Sequence, residues 1–201
     1  MRVLDYGDRA VLVETADPLS VRAAVLGRHD PAVLAVVPAA ASVLIQFDRP
    51  SPALRSWLDQ LPAAGPSPAA PAQAELEPLR LPVRYDGPDL AAVAGECGLT
   101  VAELIHAHSS RTYTVQFCGF APGFGYLTGL DPRLRVSRLV TPRTRVPAGS
   151  VAIADEFTGV YPGPSPGGWR LLGSTGIQLL DLDRRPPALL QPGRQVTFVP
   201  Q

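Results

Sequence analysis

The sequence predicts an α+β protein in two parts: a small ferredoxin-like α+β module over residues 1–75, then a β-barrel domain over 76–201. Three observations predict it. Short β-branched runs and amphipathic helical runs alternate through residues 1–61. The stretch "PAAGPSPAAPAQAE", 62–75, has no period and reads as a semi-extended linker. From residue 111 the chain becomes short strands cut by Gly/Pro-rich turns, the pattern of a barrel with one or two helices at its start.

Residues 2–15 read as two strands broken at "YGD". In "DPLSVRAAVLG", Asp17 is placed to cap a helix, with Pro18 at its first position and Gly27 at its end. "AVLAVVPAAASVLIQFD" gives two more strands around a Pro-Ala turn. "SPALRSWLDQL" is a helix with Leu54, Trp57, Leu58 and Leu61 on one face. Beyond the linker, "LRLPVRYD" is a strand, and "DLAAVAGECG" and "TVAELIHAHS" are helices, the second opened by a Thr100/Glu103 capping box. "RTYTVQFCGF", "SVAIAD", "GWRLLGS", "IQLLDL" and "RQVTFVP" complete the strands.

Composition narrows the function. At 46% apolar and 18% charged the chain is globular. Zero net charge argues against a nucleic-acid binder, and no apolar run approaches the ~18 residues that span a bilayer. The N-terminus lacks a signal-peptide layout, and two cysteines make no disulfide scaffold, so a cytoplasmic protein is expected. All 18 basic residues are arginine. Without lysine there is no P-loop lysine, Schiff base or biotinyl carrier.

Gly163-Pro164-Ser165-Pro166-Gly167 matches G-x-S-x-G, the nucleophile elbow of serine hydrolases. The chemistry fails, however. The oxyanion hole needs the N–H of the residue after serine, here Pro166, and "GGWRLLG" reads as a strand where a helix is required. A rigid loop presenting Ser165 and Trp169 at a pocket rim is the better reading; a plain barrel corner is the alternative. "FCGFAPGFGYLTGL", 117–130, is not a dinucleotide fingerprint, since Pro122 interrupts it and no helix follows. Its aromatics suit a pocket, a subunit interface or the core. Cys118 reads as a buried, inert thiol. His106 and His108 diverge on a helix and with His29 make no metal site, so no metal is expected; His108 is the better functional candidate. Arg143 and Arg145 lie in a proline-bounded extended loop, where an arginine fork suits a carboxylate or phosphate; Arg145 reads as solvated surface charge. Asp155 and Glu156 sit beside a strand end as possible acids or bases.

Together "FCGFAPGFGYLTGL", "PRTRVPAGSVAIA", "TGVYPGPSPGGWRLLG" and "QPGRQVTFVP", with "DYGDRAVLVE" at the start, resemble the KipI-type family, also called allophanate hydrolase subunit 1 or the B subunit of 5-oxoprolinase. The resemblance implies a cyclophilin-like barrel for the second domain. It implies two partners, a KipA-like C subunit and an A subunit, which with this chain form an ATP-dependent 5-oxoprolinase that opens pyroglutamate to glutamate. ATP, with Mg, is then expected in the assembled complex and not on this chain alone. Matched positions give His108 as a proton shuttle, Arg143 as holder of a carboxylate or phosphate, and Phe120, Tyr126, Tyr161, Ser165 and Trp169 as substrate-binding residues. Phe157 and Ser174 depart from the family's Gln and Arg, which puts substrate contacts in question. The alternatives are a regulator that binds a sensor histidine kinase, a subunit related to allophanate hydrolase or urea carboxylase, and, last, a prolyl isomerase suggested by the barrel alone.

Overall fold

The computed structural model describes residues 1–49, 51–62 and 77–201, and the chain divides into two units, Met1–Glu75 and Leu76–Gln201. The proline- and alanine-rich stretch from residue 63 to 76 lies outside the described residues.

The first unit runs β1 (Arg2–Asp5), β2 (Ala10–Glu14), α1 (Pro18–Gly27), β3 (Val33–Pro38), β4 (Ser42–Phe47) and α2 (Pro52–Asp59). Its sheet has the order β1-β2-β4-β3, each neighbouring pair antiparallel. Strands β2 and β3 therefore run parallel on either side of β4, the split β-α-β of a ferredoxin-like module. The edge that such a module gives its last strand is taken here by β1, at the front of the chain. Asp17 caps α1 by accepting from Ser20 N at 3.1 Å, and Ser51 caps α2 through Leu54 N. Strand alternation turns Val11, Val13, Val43, Ile45 and Phe47 to one face, where they meet Val21, Val25, Leu54 and Leu58 of the helices. Trp57 and Leu61 pack at the margin of this core.

The second unit begins with β5 (Leu79–Val83), α3 (Leu90–Glu96), α4 (Val101–Ser109), β6 (Thr112–Cys118) and β7 (Gly125–Thr128). It continues with β8 (Arg143–Val146), β9 (Ser150–Ala154), β10 (Phe157–Val160), β11 (Ser165–Gly167), β12 (Arg170–Ser174) and β13 (Gln195–Pro200). A seven-stranded sheet has the order β12-β9-β10-β7-β6-β13-β5, with β5 and β13 parallel. Its ends meet at Arg84 and Ser174, which exchange backbone hydrogen bonds of 2.9 and 2.8 Å and close the barrel. Closure needs Gly173, since a Cβ there would lie 2.3 Å from Arg84 O. The Thr100/Glu103 capping box forms reciprocally at the head of α4.

Two expectations change. "IQLLDL" is not a strand: only Leu180 bridges Ala188, and the returning segment contains Pro186 and Pro187, which donate no N–H. The loops read around Arg143 and Ser165 are strands, β8 and β11, paired as a separate two-stranded ribbon.

Alternation sorts this unit's side chains into two layers. Val151, Ile153, Val160 and Leu172 enter the barrel interior with Leu81, Tyr113, Val115, Leu127 and Phe198. Ala152, Ala154, Tyr161 and Leu171 point outward into a second cluster with Phe124, Val146 and Trp169. All five residues of β9 are buried because both its faces are covered. Among the described residues, no single helix is long and apolar enough to cross a membrane.

Candidate functional site

The outer cluster gathers four of the residues singled out in the sequence. The Phe124 ring stands edge-on to Tyr161 at 5.4 Å, to Trp169 at 5.3 Å and to Phe120 at 5.5 Å. Tyr126 lies 5.1 Å from Phe124 and stacks on Phe117 at 4.3 Å. Exposure divides them. Tyr161 and Trp169, expected to bind substrate, are buried and form the packed floor of this face. Tyr126 is half-buried. Phe120 is 60% exposed and holds a left-handed backbone, φ 68°, unusual for a bulky side chain.

Arg143 and Ser165 sit on the β8/β11 ribbon, where Gly167 pairs with Arg143 and Ser165 with Val146. Gly167 is required there, because a Cβ would lie 2.3 Å from the Tyr161 hydroxyl. Arg143 Nη2 donates to Asp89 Oδ1 at 2.8 Å, while its Nη1 is enclosed without a partner. Asp89 also accepts from Leu171 N through Oδ2 at 2.7 Å, so it ties the ribbon's arginine to the barrel wall. The guanidinium expected to hold a carboxylate already holds one, supplied by its own chain. Ser165 Oγ is likewise enclosed and unpaired. Ser165 opens strand β11 and strand β12 follows, so it sits in no strand-turn-helix elbow.

His108 is elsewhere. Strand β10 separates it from the aromatic face: Phe157 packs against the outer cluster, while Thr158 points inward to His108. Leu104, Ala107 and His108 form the buried stripe of α4, and the imidazole is 0% exposed. Thr158 Oγ1 donates its one proton to Ala152 O at 3.1 Å, so His108 Nε2 donates to Thr158 Oγ1 at 2.9 Å. His108 Nδ1 then accepts from the Tyr85 hydroxyl at 2.8 Å. The ring stacks on Phe198 at 4.6 Å. Burial pushes its pKa down to about 3 and raises that of Tyr85. The imidazole expected to act as a proton shuttle is thus enclosed in the barrel interior, with both ring nitrogens hydrogen-bonded.

Sequence reasoning missed Tyr85 and Asp89, and gave Thr158 only as a matched position without a role. Asp89 carried a signal, an aspartate immediately before a helix, yet its side chain makes no cap bond and turns to Arg143 and Leu171 instead. His106 is exposed and, as expected, diverges from buried His108. Asp155 and Glu156 form the exposed tip of the β9–β10 hairpin, with Arg138 3.7 Å from Asp155. Cys118 Sγ donates to Leu190 O at 3.3 Å. A concavity of about 250 Å³ in the first unit, bordered by Asp5, Asp8, Phe47 and Arg55, holds none of the expected residues.

Among the described residues no three His, Cys, Asp or Glu side chains gather as metal ligands. The glycine-rich stretch enters strand β7, so no helix N-terminus faces a phosphate there.

A family model described as "Carboxyltransferase domain, subdomain C and D" matches residues 1–190. The chain is 50% identical over 126 residues to the 5-oxoprolinase B subunit of Escherichia coli O157:H7, covering 61% of this chain and 58% of that protein. It is 44% identical over 124 residues to the 5-oxoprolinase B subunit of Bacillus subtilis (strain 168), covering 60% and 52%. Each match thus spans little more than half the relative's length. Among solved structures, TTHA0988 superposes with a TM-score of 0.80 at 35% identity, over 96% of this chain and 40% of that one. PH0987 from Pyrococcus horikoshii gives 0.61 at 34% identity, over 100% and 97%. Kluyveromyces lactis urea carboxylase shares the fold, at 20% identity and a TM-score of 0.65, over 99% of this chain and 21% of that one. By its family model and these relatives, the chain belongs to the carboxyltransferase subdomain C and D family, the group of KipI-type proteins and the 5-oxoprolinase B subunit.

Proposed function

We propose that this chain is the B subunit of an ATP-dependent 5-oxoprolinase, working in the cytoplasm with an A subunit and a KipA-like C subunit to open 5-oxo-L-proline to L-glutamate. The observation that carries the reading is the 50% identity to a protein named as that subunit. The geometry supports a part rather than a whole enzyme. The expected catalytic histidine is sealed in the barrel, the expected arginine is paired internally, and the outer face exposes Phe120. In this reading the chain supplies a rigid wall, and nucleotide chemistry belongs to the other subunits.

The test is co-expression with candidate A and C subunits, copurification and an assay of glutamate release. Turnover is expected from the three together, and no oxoproline-dependent ATP hydrolysis from the isolated chain. Robust turnover by the isolated chain, or an inactive assembly, refutes the reading.

A further inference from the structure

The concavity of about 250 Å³ in the first unit has no part in the proposed function. It lies between the β1–β2 turn, the end of β4 and the first turn of α2. Buried Val11 and Phe47 give it an apolar lining together with Pro52, while Asp5, Asp8 and Arg55 border it with charge. The chain's own bonds hold these walls apart. Phe47 N donates to Arg9 O at 2.9 Å and ties the turn to β4. Arg55 Nη1 donates to Asp5 and ties α2 to β1. Ser51 Oγ donates to Asp30 Oδ2 at 2.8 Å and anchors the start of α2. Gly7 keeps the space open: its φ is 72°, and a Cβ there would meet nothing within 4 Å. The space is therefore fixed before any ligand arrives, which lowers the cost of binding.

Its charges do not balance. Arg55 donates through Nε to Asp59 at 3.1 Å and through Nη1 to Asp5, so its guanidinium already faces two carboxylates. Asp8 pairs with no cation and accepts from no donor among the described residues. Arg9, next along the chain, is exposed and does not line the space. Three carboxylates thus stand around one guanidinium, which disfavours an anion and calls for a cation. A metal ion suits the site poorly. It needs several oxygen ligands, whereas no three carboxylate, imidazole or thiol groups gather among the described residues, and a phenyl ring and aliphatic carbon line the space. An unpaired carboxylate beside apolar surface matches an organic cation instead.

We infer that this concavity binds a small organic cation, a primary ammonium group carried on a compact apolar body. The ammonium meets the carboxylates of Asp8 and Asp5, and the body lies against Val11 and Phe47. The volume falls just below the ~300–1,000 Å³ of pockets that take drug-sized molecules, so the ligand is compact. All the residues that line the space belong to the first unit, and the inference stands apart from the proposed function.

The test titrates the full chain with 2-phenylethylammonium by calorimetry and follows backbone amide shifts by NMR. A Kd of about 1 mM or tighter is expected, with shifts at Asp8, Ala10 and Phe47 and none in the second unit. 2-Phenylethanol, neutral and of the same shape, should bind at least about fivefold more weakly, and 3-phenylpropanoate more weakly still. Asp8→Lys should raise the Kd for the ammonium about tenfold or more, since it reverses a charge at the site. Asp183→Lys, the same change at an exposed position of the second unit, is the control and should leave it unaltered. Both substitutions lie at exposed positions, and thermal unfolding verifies that each variant folds. The inference falls if no binding is seen up to about 10 mM, or if the alcohol binds as tightly as the ammonium. It falls equally if Asp8→Lys stays within about twofold of wild type, or if Asp183→Lys loses as much. None of these results bears on the proposed function.

Discussion

Consider His108→Gln. The amide can satisfy Thr158 or Tyr85 but not both from the positions of Nε2 and Nδ1, 2.9 and 2.8 Å from their partners. One buried polar atom left unmet costs about 1–3 kcal/mol. The ring face stacked on Phe198 at 4.6 Å is also lost, worth about 1 kcal/mol more. A destabilisation of about 2–4 kcal/mol near pH 8 follows, a large share of a domain's ordinary margin. The pH dependence is the sharper mark. Burial lowers the folded pKa from 6.5 to about 3, so below 6.5 the unfolded chain binds one proton more than the folded one. Wild-type stability is complete above 6.5 and is lost as the pH falls towards 3, up to tenfold in the folding constant per unit. Glutamine does not titrate. The gap between the two proteins should therefore narrow by about 2 kcal/mol between pH 8 and pH 5. Urea unfolding at both pH values, followed by Trp169 fluorescence in a Trp57→Phe background, reads this directly. A gap independent of pH refutes the buried, neutral imidazole. So does a variant as stable as wild type that abolishes turnover of the assembled enzyme, the behaviour of a proton carrier.

Three further outcomes follow from the same packing. Gly173→Ala places a Cβ 2.3 Å from Arg84 O at the barrel seam, and urea titration should show a loss of about 3 kcal/mol. Ser165→Ala removes an enclosed hydroxyl that has no partner, so a thermal melt should show the variant equal to wild type or up to about 1 kcal/mol more stable; a clear loss would mean the hydroxyl is bonded. Asp89→Ala strips the acceptor from both Arg143 Nη2 and Leu171 N; urea unfolding should show a cost of about 2–4 kcal/mol, with partial recovery when Arg143→Met is added.

Much of the fold was legible because local signals agreed with the tertiary answer. Asp17-Pro18 opened α1 and Thr100/Glu103 opened α4 as their chemistry requires. Leu54 and Leu58 marked the buried face of α2. "SVAIA" read as a strand through its continuous apolar run, and both its faces are indeed covered. The failures have physical causes too. The apolar run from Ile177 to Leu182 makes a single bridge where a strand was expected, because the opposite segment lacks donors at its prolines. His108 attracted a chemical role by its residue type, but its environment is set by Tyr85, Thr158 and Phe198, which lie 23 to 90 positions away along the sequence.

The aromatic face was ambiguous for a more particular reason. Strand alternation from Tyr113 and Val115, both in the barrel interior, would send Phe117 inward as well. The register between β6 and β7 shifts between Val115 and Phe117, so Val115 opposes Leu127 and Phe117 opposes Tyr126. That bulge turns Phe117 to the outer face, where it stacks on Tyr126 and meets Phe157 edge-on. One inserted residue thus moves an aromatic from one layer to the other, and the change follows from pairing across the sheet rather than from composition along the strand. Phe117, Tyr126 and Phe157 then join the packed floor through Trp169, whereas exposed Phe120 meets it through Phe124 and Tyr161. The place of Phe117 on the outer face thus rests on a backbone irregularity that a single sequence does not mark.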